Sequence, residues 1–468
     1  MASSKKRKSG KHKTQRQGLS GNPQRRAEQL AEPDRGTLAE LAWLMAGGAD
    51  PAAWWPASHE HIIAGARART WPSGLADVEA LTCELVSDEF YARFTSPDTG
   101  LHPAQWLVTL VEKTAAELRS SIQNDSGGSA SLSCLLAGLT LIAPPPPPVE
   151  SDENFKLARE RFPDILDPYE VAQAEAGKAA KLLADRGLTA GLLSPSAGAS
   201  AAGEALVARD AYGSRFLVTA PFGYRDGETD HWYAWDIDHC WVDVVVGAGT
   251  FGSAQAALAE WRANVDSAAA GSVLAPCQPP MLATLLNPCL QTGPLSGMLQ
   301  GTEPRELIRE FYRMRRRARA LAWPAADSGG DPFDVEPFDG GVAAEAFREW
   351  YMARHDSVPP DFAETVGTIV NEWIPGKTVD DRDFYASSPH RIEMTAHLLR
   401  EGYIAEYANE SLAVLPEWTE WCLAQSDPGA DFAARALETA RAEAAVLVTG
   451  GAHSPENPDD RTPFRRRE

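Results

Sequence analysis

Ser214-Arg-Phe-Leu-Val-Thr-Ala-Pro-Phe222, His231-Trp-Tyr-Ala-Trp-Asp-Ile-Asp-His239 and Trp241-Val-Asp-Val-Val-Val246 decide the fold. These runs of β-branched and aromatic residues are the convincing strand signals of the chain, and Gly223 to Asp230 reads as the hairpin loop between the first two. A short break falls near Cys240. Upstream, Tyr169 to Asp185 has helical spacing and stops near Gly187; downstream, Ala254 to Val265 is a helix with Ser253 as its N-cap, and Glu303 to Trp323 is another. The order α-β-β-β-α predicts a small antiparallel meander packed on helices.

Outward from this centre the pattern is helical on both sides. Val78, Leu81, Leu85 and Phe90 recur at helical spacing, as do Leu107, Leu110, Val111, Thr114 and Leu118 after His102-Pro103. Beyond residue 341 the same spacing marks Ala343 to Arg354, Asp361 to Trp373, a helix from Pro389 behind a Ser387 or Ser388 cap, Pro416 to Gln425, and Asp431 to Val448. The fold class is therefore α+β and multidomain: a helical N-terminal domain over 36–143, a central α+β domain over 149–324 and a helical C-terminal domain over 342–448. Five prolines, Pro144 to Pro148, form an extended spacer between the first two domains. Residues 325–341 form an acidic Gly/Pro linker; Asp327 to Gly341 holds five acids and no Lys or Arg. Residues 1–35 and 449–468 are too polar to offset the entropy of ordering them, so both are expected to be disordered.

Charge is partitioned sharply. The chain of 468 residues carries a net −21, yet residues 1–35 hold ten Lys or Arg, among them Lys5, Lys6, Arg7 and Lys8, against three acids. A basic arm is thus joined to a strongly acidic body, which repels phosphate backbones and confines nucleic-acid contact to the arm or to local basic patches. The arm has no aromatic residue, so it offers charge without base stacking. A second basic patch is Arg315-Arg-Arg317 in the helix Glu303 to Trp323, where Arg309 and Arg313 have Glu306 and Glu310 three positions before them but the triplet has no such local partner. It can meet phosphate, or it can meet the acidic linker that follows.

Two strings invite a catalytic reading. Gly247-Ala-Gly-Thr-Phe-Gly252 is a literal GxGxxG, in which Gly247, Gly249 and Gly252 would approach a dinucleotide pyrophosphate. The acid that should follow about 20 residues on at the end of a second strand is missing, and no alternating βα units follow, so a glycine-rich strand-to-helix turn is the simpler reading. Asp236 and Asp238 share one strand face and could hold a divalent metal with Asp230 or Asp243. His231, Tyr233, Trp235, Ile237 and His239 look like the packed face, which leaves the two carboxylates on the solvent side. His59 and His61 are an incomplete zinc set and read as part of a helix start.

The chain has no GxSxG, P-loop, HExxH or EF-hand string. Its six cysteines include no CxxC pair, which suits reduced thiols in a cytoplasm, and no apolar stretch reaches membrane-spanning length. The Lys/Arg-rich start has no apolar region behind it and is not a secretory signal. The sequence therefore points to a cytoplasmic, non-catalytic binding or regulatory protein with no resident cofactor and no membrane contact. The arm would contact nucleic acid and the helical domains another protein. The competing reading is an enzyme that uses a dinucleotide at Gly247 to Gly252 or a metal at Asp236 and Asp238.

Overall fold

The structure, a computed structural model, describes residues 53–94, 103–124, 128–143, 168–188, 192–193, 199–224, 229–240, 244–290, 304–326, 338–373 and 381–448. The basic arm with Lys5, Lys6, Arg7 and Lys8, the prolines 144–148, most of the acidic linker and the tail 449–468 lie outside these residues. What is described falls into two compact units, one over 53–326 and one over 338–448.

The larger unit begins with helices α1 (Trp55–Ala68), α2 (Leu75–Phe94), α3 (Pro103–Gln123), α4 (Ser129–Ile142) and α5 (Pro168–Asp185). A sheet follows, made of β1 (Ser200–Ala201), β2 (Leu206–Arg209), β3 (Arg215–Gly223), β4 (His231–Asp238) and β5 (Val244–Phe251), with β6 (Ala275–Pro276) added after helix α6 (Ala254–Val265). Helices α7 (Pro279–Leu290) and α8 (Pro304–Ala326) complete the unit. All pairings are antiparallel, in the order β5-β4-β3-β2-β6, with β1 also on β3. The predicted α+β class with a small antiparallel sheet between helical regions is the observed one.

The sheet is covered on both faces. Phe216, Val218, Ala220, Phe222, Tyr233, Trp235 and Ile237 point into a large core shared with Ile62, Leu107, Leu136 and Phe311 from the helices. The alternate residues Leu217 and Ala234 pack under α6 against Ala257, Leu258 and Trp261. Period-two alternation therefore sorts each strand between two helical layers rather than between core and water. One consequence concerns domain boundaries. The sequence places a border at the prolines 144–148, but the helices before them and the sheet after them bury a single core.

The smaller unit holds α9 (Gly340–Met352), α10 (Phe362–Trp373), α11 (Asp381–Tyr385), α12 (Pro389–Gly402), α13 (Ala405–Ser426) and α14 (Ala430–Ala444). Phe347, Trp373, Phe384 and Trp418 form its aromatic centre; each is fully buried. Arg391 is buried with them and donates to the carbonyls of Trp373 (2.6 Å), Asp383 (2.6 Å) and Ala386 (2.9 Å). Ser388 caps α12, as its position before Pro389 predicts. Pro416, read from sequence as a helix start, instead lies inside α13. The ring removes one backbone bond, and burial of Leu412, Leu415 and Trp418 around it keeps the helix continuous.

Among the described residues, no helix is long and apolar enough to cross a membrane.

Candidate functional site

Helix α8 organises the larger unit. It packs against α2, α4, α7 and the strands β1 and β5, so from Phe311 to Arg319 every residue is buried. Five of those residues are arginines: Arg313, Arg315, Arg316, Arg317 and Arg319. A buried guanidinium must find counter-charge or acceptors, and the unit supplies them from distant parts of the chain.

Glu79 on α2 is the hub. Its Oε2 accepts from Nη2 of Arg317 at 2.6 Å and from the Tyr224 hydroxyl at the end of β3, while Nε of Arg313 lies 3.9 Å away. Arg317 Nη2 also sits 3.3 Å from the Tyr224 oxygen and 3.4 Å from Nε2 of His231. The guanidinium carbon of Arg317 lies 5.2 Å from the Phe222 ring centroid and 5.8 Å from that of Tyr224, so both rings take part of its charge. Arg313 donates to both oxygens of Glu310 (3.1 and 3.2 Å), and the Tyr233 hydroxyl donates to Glu310 at 2.9 Å. Residues 310, 313 and 317 share one helix face by their spacing, which aims all three at the sheet and at α2.

The electrostatics follow from this geometry. Burial pushes the Glu79 carboxyl up, but Arg317, Arg313 and the Tyr224 hydroxyl outweigh it and hold the group below its ordinary value. Burial raises Glu310, which has a weaker set of partners. His231 is lowered to about 4 by burial and by the adjacent Arg317, so it is neutral at pH 7. Two arginines thus face two carboxylates. Arg316, turned to the other side, donates to the carbonyls of Thr140 (3.2 Å) and Ala143 at the end of α4, where the helix dipole favours a cation. Burial, helped by Arg317, lowers Arg316 to about 10. Chemically the cluster is a clamp: an ionised carboxylate held by guanidinium groups inside a packed interior, joining α2, β3, β4 and α8.

Several residues singled out in the sequence take different places from those expected. Arg315, Arg316 and Arg317 are buried at 7%, 6% and 0% exposure, with Arg315 over the Phe311 ring, so the triplet does not form a surface for phosphate. Gly247 and Gly249 lie inside β5, paired with Asp236 and Ala234 of β4, rather than in a turn at a helix N-terminus. None of Gly247, Gly249 and Gly252 has a positive φ, so the tight phosphate-cradling turn is not built. Gly252 precedes Ser253, whose Oγ accepts from the amide of Ala256 at 3.1 Å as the predicted cap of α6.

Asp236 does not face water. Its carboxylate accepts from Arg215 Nε (2.7 Å) and Nη2 (2.6 Å), and from Trp261 Nε1 on α6 (2.9 Å). That fork lifts Arg215 above its ordinary value despite burial. Asp238 is buried and accepts from the amide of Cys240 at 2.8 Å. A β-bulge between the two, where Asp236 pairs with Gly247 and Ile237 with Val245, breaks the even register. His59 and His61 both lie on α1 but part company. His59 is buried beside Trp106 with Nε2 3.5 Å from Thr109 Oγ1, whereas His61 Nδ1 meets Glu89 at 3.0 Å.

No protein-family model, no curated protein and no solved structure matches the chain.

Proposed function

We propose that the protein is a binding or regulatory protein that attaches electrostatically to nucleic acid through its first 35 residues. The observation that carries this reading is the partition of basic charge. Ten Lys or Arg are gathered in residues 1–35 of a chain with a net charge of −21, whereas the other arginine cluster, Arg315 to Arg317, is committed to the interior. Phosphate contact therefore falls to the arm. Without aromatic residues there, contact is with the backbone and is indifferent to sequence. The non-catalytic part of the reading is supported by how the candidate chemical groups are used: Asp236 is held in the fork of Arg215, and Glu79 accepts from Nη2 of Arg317. Residues 338–448 carry 20 Asp or Glu against eight Lys or Arg and would serve a protein partner rather than phosphate. Six free cysteines, five of them buried, suit the reducing cytoplasm.

The test is fluorescence anisotropy with labelled single- and double-stranded DNA and RNA, at two salt concentrations. The full chain is compared with the full chain carrying Lys5→Gln, Lys6→Gln, Arg7→Gln and Lys8→Gln. The expected result is salt-sensitive binding that the variant weakens alike on all four probes, with the salt slope reduced by up to about 3 to 4. Absence of binding by the full chain, or binding that the variant retains unchanged, rejects the proposal.

A further inference from the structure

The outer strand of the sheet is unlike the edges that soluble proteins ordinarily present. From Val244 to Phe251 the strand reads VVVGAGTF, without an ionisable residue or a proline, in a chain of which 23% is charged. Soluble proteins guard such edges with lysine, proline or a covering element, because unpaired backbone groups recruit another strand. Here the guard is a bulge near Val246, which leaves Gly247 to Phe251 as a regular segment. Among the described residues β5 has β4 as its sole strand neighbour, and no backbone hydrogen bond joins residues 247–251 to anything else. Gly247, Ala248, Gly249 and Phe251 are half-buried and Thr250 is exposed, although both faces of the sheet are covered by helices.

The sequence of that segment fits its own copy. Antiparallel pairing about a twofold axis at Gly249 sets Gly247 against Phe251 of the second chain and Ala248 against Thr250, with Gly249 against itself. An aromatic ring across from a glycine shields the glycine backbone, and small residues on the axis let two backbones approach without side-chain conflict. A foreign strand would need a glycine opposite Phe251 to gain the same cover, whereas a second copy supplies it twice by symmetry. The absence of charge matters equally, since two chains of net −21 repel wherever their acidic surfaces meet.

We propose that the outer edge of β5, over Gly247 to Phe251, is a self-association surface at which two copies of the chain pair antiparallel about Gly249. The site is independent of the arm and of the nucleic-acid reading.

Two measurements on the full chain test it. Sedimentation equilibrium from about 1 to 100 μM reports mass, while hydrogen exchange read by mass spectrometry reports the amides of residues 247–251. A dimer is expected at the upper end, with those amides slowing at least tenfold as concentration rises. Gly249→Lys and Gly249→Glu place like charges on the axis. A Cβ there meets only the Phe251 ring, at 3.6 Å, and circular dichroism checks that each variant is folded. Each alone is expected to be monomeric, and an equimolar mixture of the two to dimerise again. A wild-type chain that stays monomeric with unprotected 247–251 amides overturns the proposal. So does a dimer that both variants retain, or amide protection that appears only with a foreign peptide. If either variant unfolds, the exchange measurement on the wild-type chain decides alone.

Discussion

Glu79 Oε2 and Arg317 Nη2 lie 2.6 Å apart although 238 residues separate them in the chain. Both side chains are buried, Glu79 at 1% exposure and Arg317 at 0%. An ion pair in that position fixes which helices meet, because each charge is tolerable only in the presence of the other. It makes α2 and α8 one structural element despite the proline run between them.

Replacing Glu79 by Gln keeps the shape of the side chain and removes its charge, leaving Arg317 and Arg313 facing each other without their shared counter-charge. The loss expected is about 3 to 5 kcal/mol, the cost typical of breaking a buried pair. Urea denaturation followed by tryptophan fluorescence measures it. The double variant Glu79→Gln, Arg317→Met should recover part of that loss, since it removes the stranded guanidinium. A double variant no better than the single one would show that the pair is not the reason for the cost.

Acid stability should decline in two separate steps. His59 and His231 are each lowered to about 4, mainly by burial, whereas in the unfolded chain a histidine titrates near 6.5. The unfolded state therefore binds their protons first, and stability falls as pH drops from about 6.5 towards 4, by on the order of 2 to 3 kcal/mol per histidine. Glu79 acts with the same sign over a lower range of pH. Its folded value lies below its unfolded one, so its contribution is complete above the ordinary carboxyl range and is lost as pH falls through the folded value. Denaturation midpoints at pH 7, 5.5, 4.5 and 3.5 should show both steps. His59→Asn with His231→Gln should flatten the first and leave the second.

How much of this was legible follows from the geometry of each element. Alternation along His231 to His239 identifies β4 and its packed face, because Tyr233, Trp235 and Ile237 all reach the core. It misassigns Asp236, because the second face is covered by α6, and a layer contributed by a later helix leaves no mark on the strand itself. Gly247 to Thr250 lacks the β-branched signature until its last residue, so a strand there is recognisable only through its pairing with β4. The Arg315 to Arg317 triplet is harder still. Consecutive residues on a helix point 100° apart, and burying all three requires neighbours on every side, whereas a linear charge pattern suggests a solvated face. Glu79 did leave a trace: it is an acid beside Val78, Thr82, Cys83 and Val86 on the buried stripe of α2. The identity of its partners is a property of chain topology alone.

Thiol reactivity should separate one cysteine from five. Burial pushes Cys83 and Cys277 up to about 12 and raises Cys289 and Cys422 as well, while Cys240 is buried. Cys134 is partly exposed and is also raised by burial, so it reacts slowly rather than not at all. Titration with a disulfide reagent at pH 8 should give about one slow equivalent in the native protein and all six in urea. More than two fast equivalents in the native protein would mean that the cysteine environments are open.

Gly138 is where the packing of α2 against α4 is least forgiving. A Cβ added there would stand 1.8 Å from Oγ1 of Thr82 and 2.8 Å from its Cβ, distances at which one helix must move. Thr82 cannot swing away freely, because its hydroxyl donates to the Val78 carbonyl at 2.8 Å and its side chain is fully buried. Alanine is the better helix former, worth about 1 kcal/mol over glycine at an exposed helical site. At Gly138 overpacking reverses the sign, and Gly138→Ala should cost about 1 to 3 kcal/mol. Gly177 on α5 is the internal control, since a Cβ there meets nothing within 4 Å and Gly177→Ala should stabilise. Thermal denaturation of the two variants side by side reads both signs, and a stabilised Gly138→Ala protein would show that α2 and α4 do not meet at Thr82.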